Sequence, residues 1–145
     1  MENTSFSISI NTSREQVWNT LWHDETFQDW ASIIDEGTYK KGDLKEGSEM
    51  EFISSVNGYG VTSKVEKLRP QEYVLFRHRA DTQESGQLAR DDEWTGGSES
   101  YTLTEQGDGT LLVLTMDIPK EQEETFADRI PKALERIKWL AEKAD

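Results

Sequence analysis

The sequence predicts an α+β domain: an antiparallel β-sheet of about six or seven strands against one long C-terminal helix, with two short helices after the first strand. Three observations predict it. From Lys120 to Ala144, Phe126, Ile130, Ala133, Leu134, Ile137, Leu140 and Ala141 recur at steps of three and four, which gathers them into one apolar stripe on a helix. Through the middle of the chain, stretches of alternating apolar and polar residues are separated by Gly, Pro and Asn-Gly signals, the pattern of strands with one buried face. Ahead of them, two short segments carry apolar residues at helical spacing.

Taken in order, Phe6, Ile8 and Ile10 alternate with Ser7, Ser9 and Asn11, a first strand. Ser13 stands three residues before Gln16, a capping box that opens a short helix with Val17, Trp18 and Leu21 on its inner face. Phe27 and Trp30, spaced i,i+3, mark a second short helix ending near Ile33 and Ile34. Met50, Phe52, Ser54 and Val56 then alternate with Glu49, Glu51, Ile53 and Ser55. Asn57-Gly58-Tyr59-Gly60 is a turn, and Val61 to Leu68 is a strand with Val61, Ser63 and Val65 on one side, closed by Pro70. Tyr73 to Arg79 is another strand, whose apolar residues at consecutive positions leave its inner face open. Glu99, Tyr101 and Leu103 share a face after Gly97, and Gln106-Gly107-Asp108-Gly109 is a hairpin turn. It leads into Thr110 to Ile118, where Leu112, Leu114 and Met116 alternate with Leu111, Val113 and Thr115. The connector from Ala80 to Gly96 is polar, as lids and disordered segments are; its one aromatic, Trp94, either caps a cavity or begins the next strand.

The last helix is acidic in its first half and basic in its second, which suits the helix macrodipole, and Asp128–Lys132 and Lys138–Glu142 are i,i+4 pairs. Pro131 lacks an N–H and crowds the carbonyl of Ala127, so a kink or a restart is expected there. Trp139 lies opposite the stripe. Its ring either rests on neighbouring Lys and Glu stems or serves a homodimer or partner contact.

Composition narrows the functional classes. A chain of 145 residues is expected to form a single domain over 1–145, and its net charge of −13 argues against nucleic acid and anionic membranes. Without Cys there is no disulfide, thiolate metal site or cysteine nucleophile. No basic segment followed by an apolar run opens the chain, and no stretch approaches membrane-spanning length, so a cytoplasmic protein without membrane insertion is expected. No HExxH, EF-hand loop, phosphate loop or GxSxG elbow is present, so neither metal, cofactor nor nucleotide dependence is expected. Asp91, Asp92 and Glu93 form a charge run that suits a solvated face, and His23 follows a helix end in water. His78, between Arg77 and Arg79, faces either a cavity, where it could act as a general base, or solvent. Glu99 points inward if Tyr101 and Leu103 do, with Arg77 or Arg79 as partner, or else ends its strand in water.

The order of elements resembles the helix-grip fold of the START-like (SRPBCC) superfamily. Val17-Trp18-x-x-Leu21 after an Asn-x-Ser-x-Glu start, Trp30 after Phe27, Gly47 before a strand, Val65-Glu66 with Pro70 beyond, and Gly109-Thr110-x-Leu112 are similar to the branch of activators of heat-shock protein 90 ATPase homologues. The resemblance spans nearly the whole chain. It implies a curved sheet wrapped around the long helix, with a cavity between them that holds lipids, sterols or polyketides in various relatives. The leading expectation is therefore non-enzymatic binding of a small hydrophobic or amphipathic molecule. The expected lining is Phe27, Trp30, Phe52, Phe76, Tyr101, Leu103, Met116, Phe126, Ile130 and Leu134, with His78 or Glu99 as polar contacts and with space left by Ala133 and Ala141. Two alternatives stand beside it: a cyclase- or dehydratase-like enzyme using His78 with a carboxylate, and a chaperone-associated interaction module.

Overall fold

Seven strands alternate in direction through one curved antiparallel sheet ordered β1-β7-β6-β5-β4-β3-β2. These are β1 (Glu2–Ile10), β2 (Thr38–Lys41), β3 (Glu49–Ser54), β4 (Tyr59–Arg69), β5 (Tyr73–Gln83), β6 (Ser98–Gln106) and β7 (Gly109–Ile118). In this computed structural model, which describes residues 2–84 and 93–144, α1 (Arg14–Trp22) and α2 (Asp24–Ile34) follow β1. A 3₁₀ turn at Lys120–Gln122 leads into the long helix α3 (Glu123–Lys143). The expected α+β helix-grip architecture is the one found.

Local chemistry explains most element boundaries. Ser13 Oγ accepts the Gln16 N–H at 3.2 Å and caps α1. Arg69 is the last residue of β4 before Pro70, and Gly58 takes φ +78° in the β3–β4 turn. Two bulges set the phase of the central strands. Ser63 pairs with His78 while Thr62 pairs with Ala80, leaving Arg79 as an extra residue. Val65 pairs with Phe76 while Lys67 pairs with Leu75, leaving Glu66 as another. The second bulge brings Leu68 onto the side of Val65, opposite inward-facing Val74.

Several expectations are corrected. The four-residue β2 is an additional strand, β5 runs four residues past Arg79, and Val56 lies outside β3 with 64% exposure. Ile53, expected on the outer side of its strand, is buried, so β3 is covered on both faces at its end. α3 begins at Glu123 after the 3₁₀ turn and continues without restart through Pro131. Pro131 and Ala127 both lie on the exposed side, where water can take up the carbonyl that the proline leaves unbonded. On the stripe, Ile130, Ala133, Leu134, Ile137 and Ala141 are buried, while Phe126 and Leu140 are half-buried.

α3 is tied at both sides. Arg136 donates to both oxygens of Asp29 in α2 at 2.7 and 2.9 Å, a bidentate pair. Lys138 Nζ donates to the Ser9 carbonyl at 3.2 Å, and Glu142 accepts the Asn11 N–H at 2.8 Å, so α3 reaches the end of β1. Trp139 is 48% exposed, with the Arg136 guanidinium 4.5 Å and the Lys143 ammonium 4.3 Å from its ring centre. Its ring lies against two basic side chains rather than the Lys and Glu stems expected.

Candidate functional site

Period-2 alternation turns one face of every central strand toward the helices. Phe52 of β3, Val61 of β4, Phe76 and His78 of β5, Glu99 and Tyr101 of β6, and Leu114 and Met116 of β7 meet there. The opposing wall is helical: Trp22 closes α1, and Phe27, Trp30 and Ala31 come from α2. Phe126 from the first turn of α3 and Trp94, just ahead of β6, complete it. Between them lies a cavity of about 150 Å³. That volume suits a single-ring molecule, since an apolar protein cavity of about this size binds benzene. Ile34, Asp35 and Thr38 are half-buried and Tyr59 is exposed, so this end of the lining is in reach of water.

The aromatic rings hold one another mostly edge to face. Trp22 meets Tyr101 at 4.9 Å and Phe76 at 5.6 Å, and Phe27 meets Trp30 at 5.1 Å. Trp30 Nε1 donates to the Leu21 carbonyl at 3.2 Å, which fixes its ring against the end of α1. Trp22 Nε1 is buried without a hydrogen-bond partner among the described residues. Such a donor costs about 1–3 kcal/mol, so ring packing rather than hydrogen bonding sets this side chain's position. The Trp94 N–H donates to Asp81 Oδ1 at 2.9 Å, and its ring stands edge-on to His78 and tilted against Phe126.

Polar groups line this space in two places, Asp35, Thr38 and Tyr59 at the end in reach of water and His78, Glu99 and Tyr101 on β5 and β6. Ser63 Oγ lies 2.7 Å from His78 Nδ1, and His78 Nε2 lies 3.8 Å from Glu99 Oε1. The Tyr101 hydroxyl donates to Glu99 Oε2 at 2.5 Å. Burial pulls the His78 pKa below 6.5, against the upward pull of Glu99 and Asp81, so the imidazole is neutral at pH 7. Burial, reinforced by Glu99, holds the Tyr101 hydroxyl well above 10.0, so it keeps its proton and serves as a donor. Among the described residues, no three His, Cys, Asp or Glu side chains are grouped to hold a metal ion.

Of the expected lining, Phe27, Trp30, Phe52, Phe76, His78, Glu99, Tyr101, Met116 and Phe126 come together around the cavity. Leu103, Ile130 and Leu134 do not line it. They share the inward faces of the same elements, but Leu103 lies farther along β6 opposite Leu112, and Ile130 and Leu134 follow Phe126 by one and two turns. There the side chains fill the core, and Ala133 and Ala141 are likewise buried away from the cavity. Arg77 and Arg79 are not partners of Glu99; they pair with Glu66 at 3.2 Å and Glu49 at 3.5 Å. His78 faces the cavity and His23 is exposed. Sequence reasoning missed Trp22, Ala31, Val61 and Leu114, together with Ile34, Asp35, Thr38, Tyr59 and Gly60 at the other end. The i,i+4 step from Trp18 to Trp22 could have identified the first. Asp91 and Asp92, with residues 85–90 of the polar connector, lie outside the described residues.

Comparison with known proteins agrees with this architecture. The family profile described as "Activator of Hsp90 ATPase homolog 1-like protein" matches residues 11–142. The solution structure of the Aha1 dimer from Colwellia psychrerythraea superposes with a TM-score of 0.74 at 22% identity, covering 98% of this chain and 97% of that one. Protein MLL2253 from Mesorhizobium loti superposes with a TM-score of 0.74 at 14% identity, covering 99% of each chain. Protein Ms6760 from Mycobacterium smegmatis gives 0.73 at 10% identity, covering 99% of this chain and 92% of that one. At these identities the solved structures speak for the fold alone. A comparison with curated protein sequences finds no match.

Proposed function

The chain belongs to the Activator of Hsp90 ATPase homolog 1-like family, and within that family we propose that it binds a small hydrophobic or amphipathic molecule without transforming it. The observation that carries this reading is the cavity of about 150 Å³, walled largely by aromatic rings with a few polar groups among them. An apolar body gains by leaving water for such walls, while a few convergent polar groups fix its orientation. The proposed site is Phe27, Trp30, Phe52, Phe76, His78, Glu99, Tyr101, Met116 and Phe126, now with Trp22 and Trp94. Native mass spectrometry of the freshly purified protein tests it. A co-purified small molecule, lost when the cavity is filled by substitution, is the expected result; a chain at its bare mass that also fails to take up single-ring aromatics would refute it.

A second reading, proton-transfer chemistry of the cyclase or dehydratase kind, is favoured by one observation: His78 and Glu99 both line the cavity with Nε2 and Oε1 3.8 Å apart. Ser63 does not line the cavity and is wholly buried, so its role in such a scheme is to position His78 rather than to attack. The third reading, a chaperone-associated interaction module, draws support from the family match. The proposal includes a cytoplasmic location, and the dimeric Colwellia relative supports a homodimer, testable by sedimentation.

A further inference from the structure

We propose that the cavity selects a compact amine, taken up as its ammonium cation with an N–H on Glu99 Oε1. This deepens the ligand-binding reading above and rests on it. The first support is the charge of the walls. Among the described residues the lining holds two carboxylates, Glu99 and Asp35, and no Lys or Arg. His78 adds no positive charge, since burial keeps it neutral. Lys40, 5.6 Å from the Phe27 ring centre, is committed to Asp24 at 2.6 Å.

The second support is the accessibility of Glu99 Oε1 on the cavity wall. Its side chain is only 23% exposed, a setting in which a carboxylate needs a counter-charge or several donors. Tyr101 donates to Oε2, whereas His78 Nε2, at 3.8 Å, is beyond hydrogen-bond reach of Oε1. The two arginines on the adjacent strand are spent on Glu66 and Glu49. An ammonium N–H reaching Oε1 from the cavity would pair with that charge. The Tyr101 hydroxyl, which keeps its proton, holds the acceptor in place.

The third support is the remainder of the wall. Ring faces attract a cation through their quadrupoles, most strongly where water is excluded, and Trp is the best of them. Trp22, Trp30 and Trp94 all line the space. A net charge of −13 raises the local concentration of cations and disfavours carboxylate ligands of the same size.

Isothermal titration of the full chain with three probes of equal skeleton tests the proposal: benzylamine, benzyl alcohol and benzoate. Benzylamine is expected to bind about five- to tenfold tighter than benzyl alcohol, the difference between a charge-assisted and a neutral hydrogen bond, and benzoate not measurably. Glu99→Gln should abolish the preference, leaving benzylamine and benzyl alcohol with equal affinity within about threefold. Equal or weaker binding of benzylamine in the wild type overturns the amine proposal, and this ranking stands even if Glu99→Gln fails to fold. So does a benzylamine preference that survives Glu99→Gln, which would trace it to the acidic surface. If the alcohol binds and the amine does not, only the amine proposal falls; if none of the three binds, the ligand-binding reading falls with it.

Discussion

Ala31→Leu asks directly whether the space among the aromatic rings is empty. Ala31 is buried in α2 and its methyl lines the cavity, so the three added carbons enter that space. Leu is nearly as good a helix former as Ala, so the backbone is not disturbed. Three carbons occupy about 80 Å³, roughly half of the cavity, and at about 24 cal/mol per Å³ filling it returns about 2 kcal/mol. Imperfect fit takes back about 1 kcal/mol, leaving a net stabilisation of about 1 kcal/mol. For a domain of this length that raises the melting temperature by about 3 °C, readable by circular dichroism. The same variant should lose affinity for benzyl alcohol at least about tenfold, because ligand and leucine compete for one volume. Destabilisation by about 1–3 kcal/mol, the usual result of overpacking, would show that the rings leave no usable void.

Other perturbations check the rest of the framework. Leu134→Ala removes a side chain packed in the core rather than along the cavity, so it should cost about 2–5 kcal/mol in urea unfolding; a loss below about 1 kcal/mol would move the void to mid-helix. Ser13→Ala removes the cap of α1 and should cost about 1 kcal/mol, with Ser13→Asp restoring it. His78 has a folded-state pKa below its unfolded value of 6.5, so the unfolded chain binds the extra proton and stability falls as pH drops from 6.5 toward the folded pKa. Urea midpoints of wild type and His78→Gln should therefore diverge in slope across that window, the variant losing less; parallel curves would mean that His78 is not shielded from water.

What could be read in advance follows from what periodicity measures. Steps of two and of three-and-four report which side of an element faces inward, and they identified the stripe of α3, the inner face of β7 and the resemblance in topology. They do not report where along a face the side chains meet and where they leave space. Leu103 and Tyr101 are equivalent by alternation, yet only Tyr101 reaches the cavity, because Leu103 lies farther along β6, opposite Leu112, where the core is filled. The length of β5 was hidden by the bulge at Arg79, which shifts the strand's phase and leaves Asp81 and Thr82 buried where polar residues suggest a loop. Four residues of β2 are too few for alternation to register. Trp22 escaped because it is the last residue of its helix, where no following turn confirms the face.

The two side chains by which α3 reaches the end of β1 have a consequence at high concentration rather than at high temperature. β1 is an outer strand of the sheet, and outer strands offer backbone groups on which another chain can add itself. Lys138 occupies the Ser9 carbonyl and Glu142 the Asn11 N–H, so at that end the backbone is already engaged by a cation and an anion. The Lys138–Glu142 pair is half-buried and joins neighbouring turns of one helix, so it contributes only modestly to the melting of one molecule. It acts instead as a guard against strand-by-strand aggregation, placing charge where an incoming chain would begin to pair.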